Sequence, residues 1–507
     1  MTDPAIHALA ISAPEFVERV LGDWDNIDHR RKGYNNSTFL ANELKLFGLP
    51  ERRNMLKADL ELARVISQDL KEEKFKLELA DCFKGFIDVL KAISHVADTV
   101  YEEMGRNCES CTPKANNQLK DLIASFEEKS AAFHQMIFSL AANVKETSAC
   151  LVASKDLRLI DQPTKSPTIS GRTYPAKASY TQSENDLPTE EDVLVEKIYT
   201  VIKYKKDMAA GCQTLASKLM LAGPNWNIPR LICYRNDEKT NCMDFIFKYP
   251  HPELKLLSLH QLYTNGRPEP TLNIRLKLCY QIAAAVLQAY VLGLTHKHIQ
   301  PQNLLVSTRE DNICVEQASL ILTGWLNPCS SECQQKSESA FSELIHQYPN
   351  YRCRGDTPNV DYNIGYDIYS MGVCMLELLT WELLVRPVGT EEVLSAAYQR
   401  EFERQENGQT SDTPSNNDLS DDKNHESLIQ RYTKDSEKVK NTLIAITETE
   451  VRKRAGDNMA DLICRCLNCL DPKTGLYDVD TLQQKSIVVQ IFRDEIFQRF
   501  NRLLSVI

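Results

Sequence analysis

Apolar side chains recur every three to four residues through the first part of the chain. Leu56, Leu60, Ala63, Ile66 and Leu70 form one stripe, and Leu79, Phe83, Phe86, Leu90, Ile93, Ala97 and Val100 a second. After a break at CTPK, Leu119, Leu122, Phe126, Phe133, Met136 and Leu140 form a third. This spacing gathers each set on one face of an otherwise charged helix. Such faces bury one another, so an all-α helical bundle is expected over residues 1–150. Phe16, Val17, Val20 and Leu21 suggest a short leading helix, and Ser37 to Phe47 another, stopped by Gly48 and Pro50.

The pattern then changes twice. Residues 151–190 scatter Pro, Ser and Thr without a sustained period and are expected to be a disordered linker. From 191 to 507 an α+β unit is expected. VLVEKIYTVIKYK alternates as a strand does, and LICYRNDEKTNCMDFIFKYP gives two strands around a polar turn. Long helices follow at about 272–294, 365–384, 455–470 and 485–505. Residues 401–440 are polar and nearly free of large apolar side chains, which predicts a disordered insertion.

Composition narrows the function classes. The chain has 507 residues, 42% hydrophobic and 25% charged, which suits a multidomain globular protein. A net charge of -11, with no concentrated basic patch, argues against nucleic acid as a partner. Sixteen cysteines are diluted over the chain and no basic, apolar export signal opens it, so a reducing, cytoplasmic location is expected. CYQIAAAVLQAYVLGL at 279–294 is too short to span a bilayer and contains two glutamines, so it reads as a buried helix.

The most specific local sequence is His296, Lys297, His298, Ile299, Gln300, Pro301, Gln302, Asn303, followed by the apolar Leu304, Leu305 and Val306. It resembles the catalytic loop of protein kinases, His-Arg-Asp-x-Lys-Pro-x-Asn. Further on, Asp367-Ile-Tyr-Ser-Met-Gly372-Val resembles the start of the kinase helix whose Asp accepts backbone hydrogen bonds from that loop. The resemblance covers about 193–505 and implies a bilobal protein-kinase-like fold, with Asp367 and Gly372 in structural roles.

The groups that transfer phosphate are replaced. His298 stands where the family has the Asp that orients the substrate hydroxyl, and Gln300 replaces the loop Lys. Thr323, Gly324 and Trp325 stand where the metal-binding Asp-Phe-Gly should be, so the magnesium position offers no carboxylate. No glycine occurs from 172 to 210, which removes the phosphate-covering loop. Lys203 takes the place of the ATP-positioning Lys, with Lys205 facing the same side, yet the helix after it contains no Glu to pair with it. Asn303 keeps its family identity. A pseudokinase with no required cofactor is expected, and residual ATP binding through Lys203 and Asn303 stays open; an atypical active kinase is the remote alternative.

The loop spelling, together with PRLICYRN, FIFKYP, RAGDNMADLICRCLNCLD and the terminal FQRFNRLLSV, is similar to fungal proteins in which a HeLo or HeLo-like helical domain precedes a degenerate kinase-like domain. The layout also resembles that of the mixed-lineage-kinase-like necroptosis effector. The resemblance implies signalling in self-recognition, defence or regulated cell death. It further implies protein partners, self-association and conditional recruitment of the helical domain to the plasma membrane. An inert scaffold binding partners through both domains fits the same residues.

The remaining candidates read as structure, and no metal site is expected. Cys108 and Cys111 form a CxxC without a second pair, and Cys464, Cys466 and Cys469 fall on a helix as buried core thiols do. His29, His95 and His134 sit on amphipathic helices.

Overall fold

Alternation in the middle of the chain builds a five-stranded antiparallel sheet. Its strands are β1 (Leu157–Leu159), β2 (Thr173–Tyr180), β3 (Thr189–Tyr199), β4 (Leu231–Asp237) and β5 (Cys242–Lys248), in the order β1-β2-β3-β5-β4. In β3, Leu194 and Ile198 face the main core, while Val193 and Val195 pack with Ala176, Ala178, Cys233 and Ile246 on the other side. Helix α1 (Lys205–Leu219) joins β3 to β4 and buries Cys212, Leu215, Ala216 and Leu219.

The computed structural model describes residues 157–159, 173–180, 189–199, 205–222, 226–237, 242–250, 253–309, 312–313, 319–325, 341–349, 362–388, 391–407, 436–472, 475–477, 481–482 and 485–506. It also describes pieces of helix between 84 and 133. In those pieces Ile87, Leu90 and Ile93, and then Ile123 and Phe126, are buried at helical spacing. His95 is exposed; His29, His134, Cys108 and Cys111 lie outside the described residues.

A larger helical lobe follows. Strand β6 (Lys255–Ser258) leads into α2 (Leu259–Thr264), whose start is a capping box: Ser258 Oγ accepts from Gln261 N at 3.1 Å and Gln261 Oε1 from Ser258 N at 3.0 Å. Helix α3 (Leu272–Val291) buries fifteen of its twenty residues, so it is a core helix. The two glutamines that argued against a membrane span hold neighbouring backbone. Gln281 accepts from Leu320 N at 2.8 Å, and Gln288 from Asn227 N at 2.8 Å. No described helix is long and apolar enough to cross a membrane.

Strands β7 (Leu304–Arg309), β8 (Asn312–Ile313) and β9 (Leu320–Leu322) complete a second sheet with β6. After α4 (Phe341–Leu344), helix α5 (Ile364–Thr380) is buried along its whole length and forms the axis of the lobe. Gly372 is where α5 meets the helix Asp457–Leu467: a Cβ there would stand 2.8 Å from Cys466 Cβ. A short hairpin, β10 (Val385–Val388) with β11 (Glu391–Leu394), precedes the C-terminal helices.

Three sequence expectations need correction. Residues 151–190 contain β1, β2 and the start of β3 rather than an unbroken linker, and β2 pairs with β3 from Thr173↔Glu196 to Tyr180↔Thr189. The ends of the expected insertion at 401–440 are ordered, because 396–407 and 436–446 are helical and bury Phe402 and Val439; residues 408–435 lie outside the described residues. Finally, Lys205 opens α1 rather than continuing a strand.

Candidate functional site

The loop 296–303 lies between α3 and β7, with its backbone held by α5. Asp367 Oδ2 accepts from His296 N at 2.7 Å and its Oδ1 from Lys297 N at 2.9 Å, while the Tyr362 hydroxyl donates to Oδ1 at 2.8 Å. Lys297 has φ 68, an unusual value for a side chain other than Gly or Asn, and its N–H bond to Asp367 holds it there. Burial pushes the Asp367 carboxyl up to about 6, and its three donors oppose that rise.

The His296 ring is fully satisfied as a neutral imidazole. Nε2 faces the Thr323 carbonyl at 2.9 Å and therefore carries the proton, and Nδ1 accepts from His298 N at 3.3 Å. Burial, with a lesser contribution from His298, lowers its pKa to about 3. Its ring meets Trp325 edge-on at 4.7 Å.

The side chains of His298, Gln300 and Asn303 bind one another. His298 Nδ1 and Nε2 lie 3.1 Å from Asn303 Nδ2 and 2.9 Å from Gln300 Nε2, and Asn303 Nδ2 also donates to the His298 carbonyl at 2.8 Å. Thr323 is buried; its N–H and hydroxyl both donate to the Asn303 carbonyl, at 2.8 and 3.2 Å. Gly324 has φ +84, and a Cβ there would come within 2.2 Å of the Asn303 side chain, so only glycine fits. The structure thus brings His296, His298, Gln300, Thr323 and Asn303 together and Asp367 beneath them. Lys203 lies outside the described residues.

Sequence reasoning missed Glu196. The strand alternates so that Lys197 turns away from the core toward Asp244, at 3.8 Å, whereas Glu196 faces inward and is 1% exposed. Its Oε2 accepts from Gly324 N at 3.0 Å and its Oε1 from Trp325 N at 2.6 Å. A carboxylate of the small lobe therefore caps two consecutive N–H groups of the large lobe, at the place where a kinase has Asp-Phe-Gly. Kinases carry a lysine on their third strand to meet the ATP phosphates; the inward polar residue of this third strand is an acid. The available signal was period-two alternation in VLVEK, which separates Glu196 from Lys197 once β3 is ended at Tyr199.

Beside the loop runs a small cleft lined among others by Lys297, His298, Gln300, His346, Tyr348 and Tyr362. Lys297 Nζ sits 5.6 Å from the centre of the Tyr362 ring. The cysteines of the helix Asp457–Leu467 and the turn after it are free; Cys466 and Cys469 are buried, and burial raises the Cys466 thiol to about 12. Cys466 and Cys469 pack in the core, whereas Cys464 is only half-buried.

No protein-family model matches the chain. It is similar to a probable inactive receptor kinase of Arabidopsis thaliana, at 26% identity over 217 residues, which are 41% of this chain and 30% of that protein. The chain therefore spans less than a third of the length of this relative. The likeness supports a pseudokinase-like region, in keeping with the mixed helices and sheets of the structure.

Proposed function

We propose that the α+β region is a pseudokinase-like signalling module that neither transfers phosphate nor requires a nucleotide, and that it acts by binding protein partners. The observation that carries the reading is Glu196, an acid seated on the backbone of Gly324 and Trp325. Two N–H donors suit an ionised carboxylate. A carboxylate in this position disfavours a phosphate group brought beside it. Within the loop, the amide nitrogen of Asn303 is committed to His298, and Thr323 offers a hydroxyl where magnesium requires a carboxylate. Purified full-length chain with labelled ATP, magnesium or manganese and generic protein substrates should incorporate no more label than its Lys203→Ala variant. Turnover that depends on Lys203 would defeat the proposal in favour of an atypical kinase.

The finer form of the proposal is that residues 1–150 are a membrane-active helical effector restrained by the pseudokinase-like region, in fungal self-recognition, defence or regulated cell death. It rests on the sequence resemblance alone. Expressed in fungal cells, residues 1–150 should be more membrane-associated and more toxic than the full chain, and polar substitutions at Leu9 and Ile11 should weaken both effects. A harmless cytosolic fragment at matched expression leaves the scaffold reading in its place.

A further inference from the structure

A second cluster of side chains lies away from the loop, between α5 and the segment that follows α4. His346, Cys374 and Glu377 are all buried, and their ligand atoms lie within 4.8 Å of one another. Cys374 and Glu377 share a face of α5 at i, i+3. His346 arrives from the other segment, with Nε2 2.9 Å from Glu377 Oε2.

The surroundings of His346 differ in kind from those of His296. Its Nδ1 faces the Ser342 carbonyl at 3.0 Å and its Nε2 faces the Glu377 carboxylate. Both neighbours are acceptors, and a neutral imidazole has one N–H to give. With Nδ1–H donated to Ser342, the Nε2 lone pair points at a carboxylate oxygen, and a proton or a metal ion between them satisfies both. A proton would serve for that pair alone, with the buried thiol an ordinary core residue. A metal ion uses all three groups.

The geometry points to a transition-metal site, zinc in the first instance, with His346 Nε2, Cys374 Sγ and a Glu377 carboxylate oxygen as ligands. Nitrogen, sulfur and oxygen donors together suit zinc better than magnesium or calcium, which take oxygen. Zinc bonds of 2.0–2.3 Å set tetrahedral ligand atoms roughly 3.3–3.7 Å apart, so the His346–Glu377 pair, at 2.9 Å, has to open slightly, while the widest separation, within 4.8 Å, closes by at most about 1 Å. The outer groups that such sites use are in place. Ser342 O fixes the imidazole tautomer, and Leu384 N donates to Glu377 Oε1 at 3.0 Å, orienting the carboxylate. Of the three, His346 also lines the cleft beside the loop. On binding, Cys374 releases its proton to solvent and coordinates as thiolate, while the imidazole coordinates through its Nε2 lone pair. The ion would tie the segment beside the loop to the axial helix, and this inference is independent of whether the cleft admits nucleotide.

The test is the metal content of the untagged full-length chain after exposure to zinc and exhaustive dialysis, measured by plasma mass spectrometry. About one zinc per chain is expected in the wild type, with at least a fivefold lower content in Cys374→Ser and His346→Gln. Cobalt substitution should give a thiolate-to-metal charge-transfer band that Cys374→Ser lacks. If a variant fails to fold, the wild type alone decides: a strong chelator should lower its melting temperature and zinc should restore it. A folded wild type that holds no zinc and ignores chelator makes the shared cation a proton and overturns the site. Zinc retained equally by both folded variants places the metal elsewhere and overturns it as well.

Discussion

Replacing Asp367 by Ala removes the acceptor for three donors. The bond from His296 N at 2.7 Å is buried, and those from Lys297 N and the Tyr362 hydroxyl are partly buried. Hydrogen bonds to a charged group contribute about 1.5–3 kcal/mol when buried. The two partly buried donors recover water in the variant and are counted at about 0.5 kcal/mol each. Burial that raises the carboxyl to about 6 offsets part of the sum. The expected loss is therefore about 2–4 kcal/mol, or a melting temperature lower by at least about 4 °C. Urea unfolding followed by tryptophan fluorescence is the assay, because Trp325 packs on the His296 ring that Asp367 helps to place. Asp367→Asn, which keeps the shape and one acceptor, should fall between wild type and Asp367→Ala. A loss under about 0.5 kcal/mol, the ordinary range for a surface change, matched by the exposed control Glu253→Ala, would refute the anchoring role.

Glu196→Gln keeps one acceptor and turns an amide toward the second N–H, so it should cost about 1–3 kcal/mol by urea midpoint, while Lys197→Gln, on the opposite face, should cost less; equal losses would count against the interlobe cap. Acid should weaken the fold through His296. Its folded value of about 3 lies below the free value of 6.5, so its contribution is complete above pH 6.5 and is lost as pH falls toward 3, by up to about 1.4 kcal/mol per pH unit. Asp367 acts in the opposite sense: its value is raised from 3.8 to about 6, so its contribution is complete below 3.8 and is lost as pH rises through 6. The stability gap between wild type and His296→Gln isolates the histidine and should narrow from pH 7 to pH 5; a constant gap would contradict the buried neutral ring.

The parts of the fold legible in the sequence were those whose signal is local. Helix α5 announced itself by an apolar run containing Asp367 and Gly372, and the loop 296–303 by residue types at fixed offsets. Strand β2 was illegible because its buried positions, Ala176 and Ala178, are small and alternate with Lys177 and Ser179 in a stretch of ordinary linker composition. Pro175 added to the misreading. It stands opposite Leu194 of β3, and a proline argues against a strand when only the sequence is read. Glu196 was passed over for a different reason: attention went to the lysines further along the pattern, and Lys205 belongs to α1. The cluster of His346 with Cys374 and Glu377 left almost no trace, since only the i, i+3 pair is local and its third member comes from another segment.

The central proposal, that this region requires no nucleotide and that Glu196 disfavours one, is tested most directly by calorimetric titration of the full chain with ATP at millimolar concentration in the presence of magnesium. With Glu196 on the backbone of Gly324 and Trp325, the account predicts no saturable heat and no shift in melting temperature. Saturable binding that stabilises the chain and is lost in Lys203→Ala would contradict it.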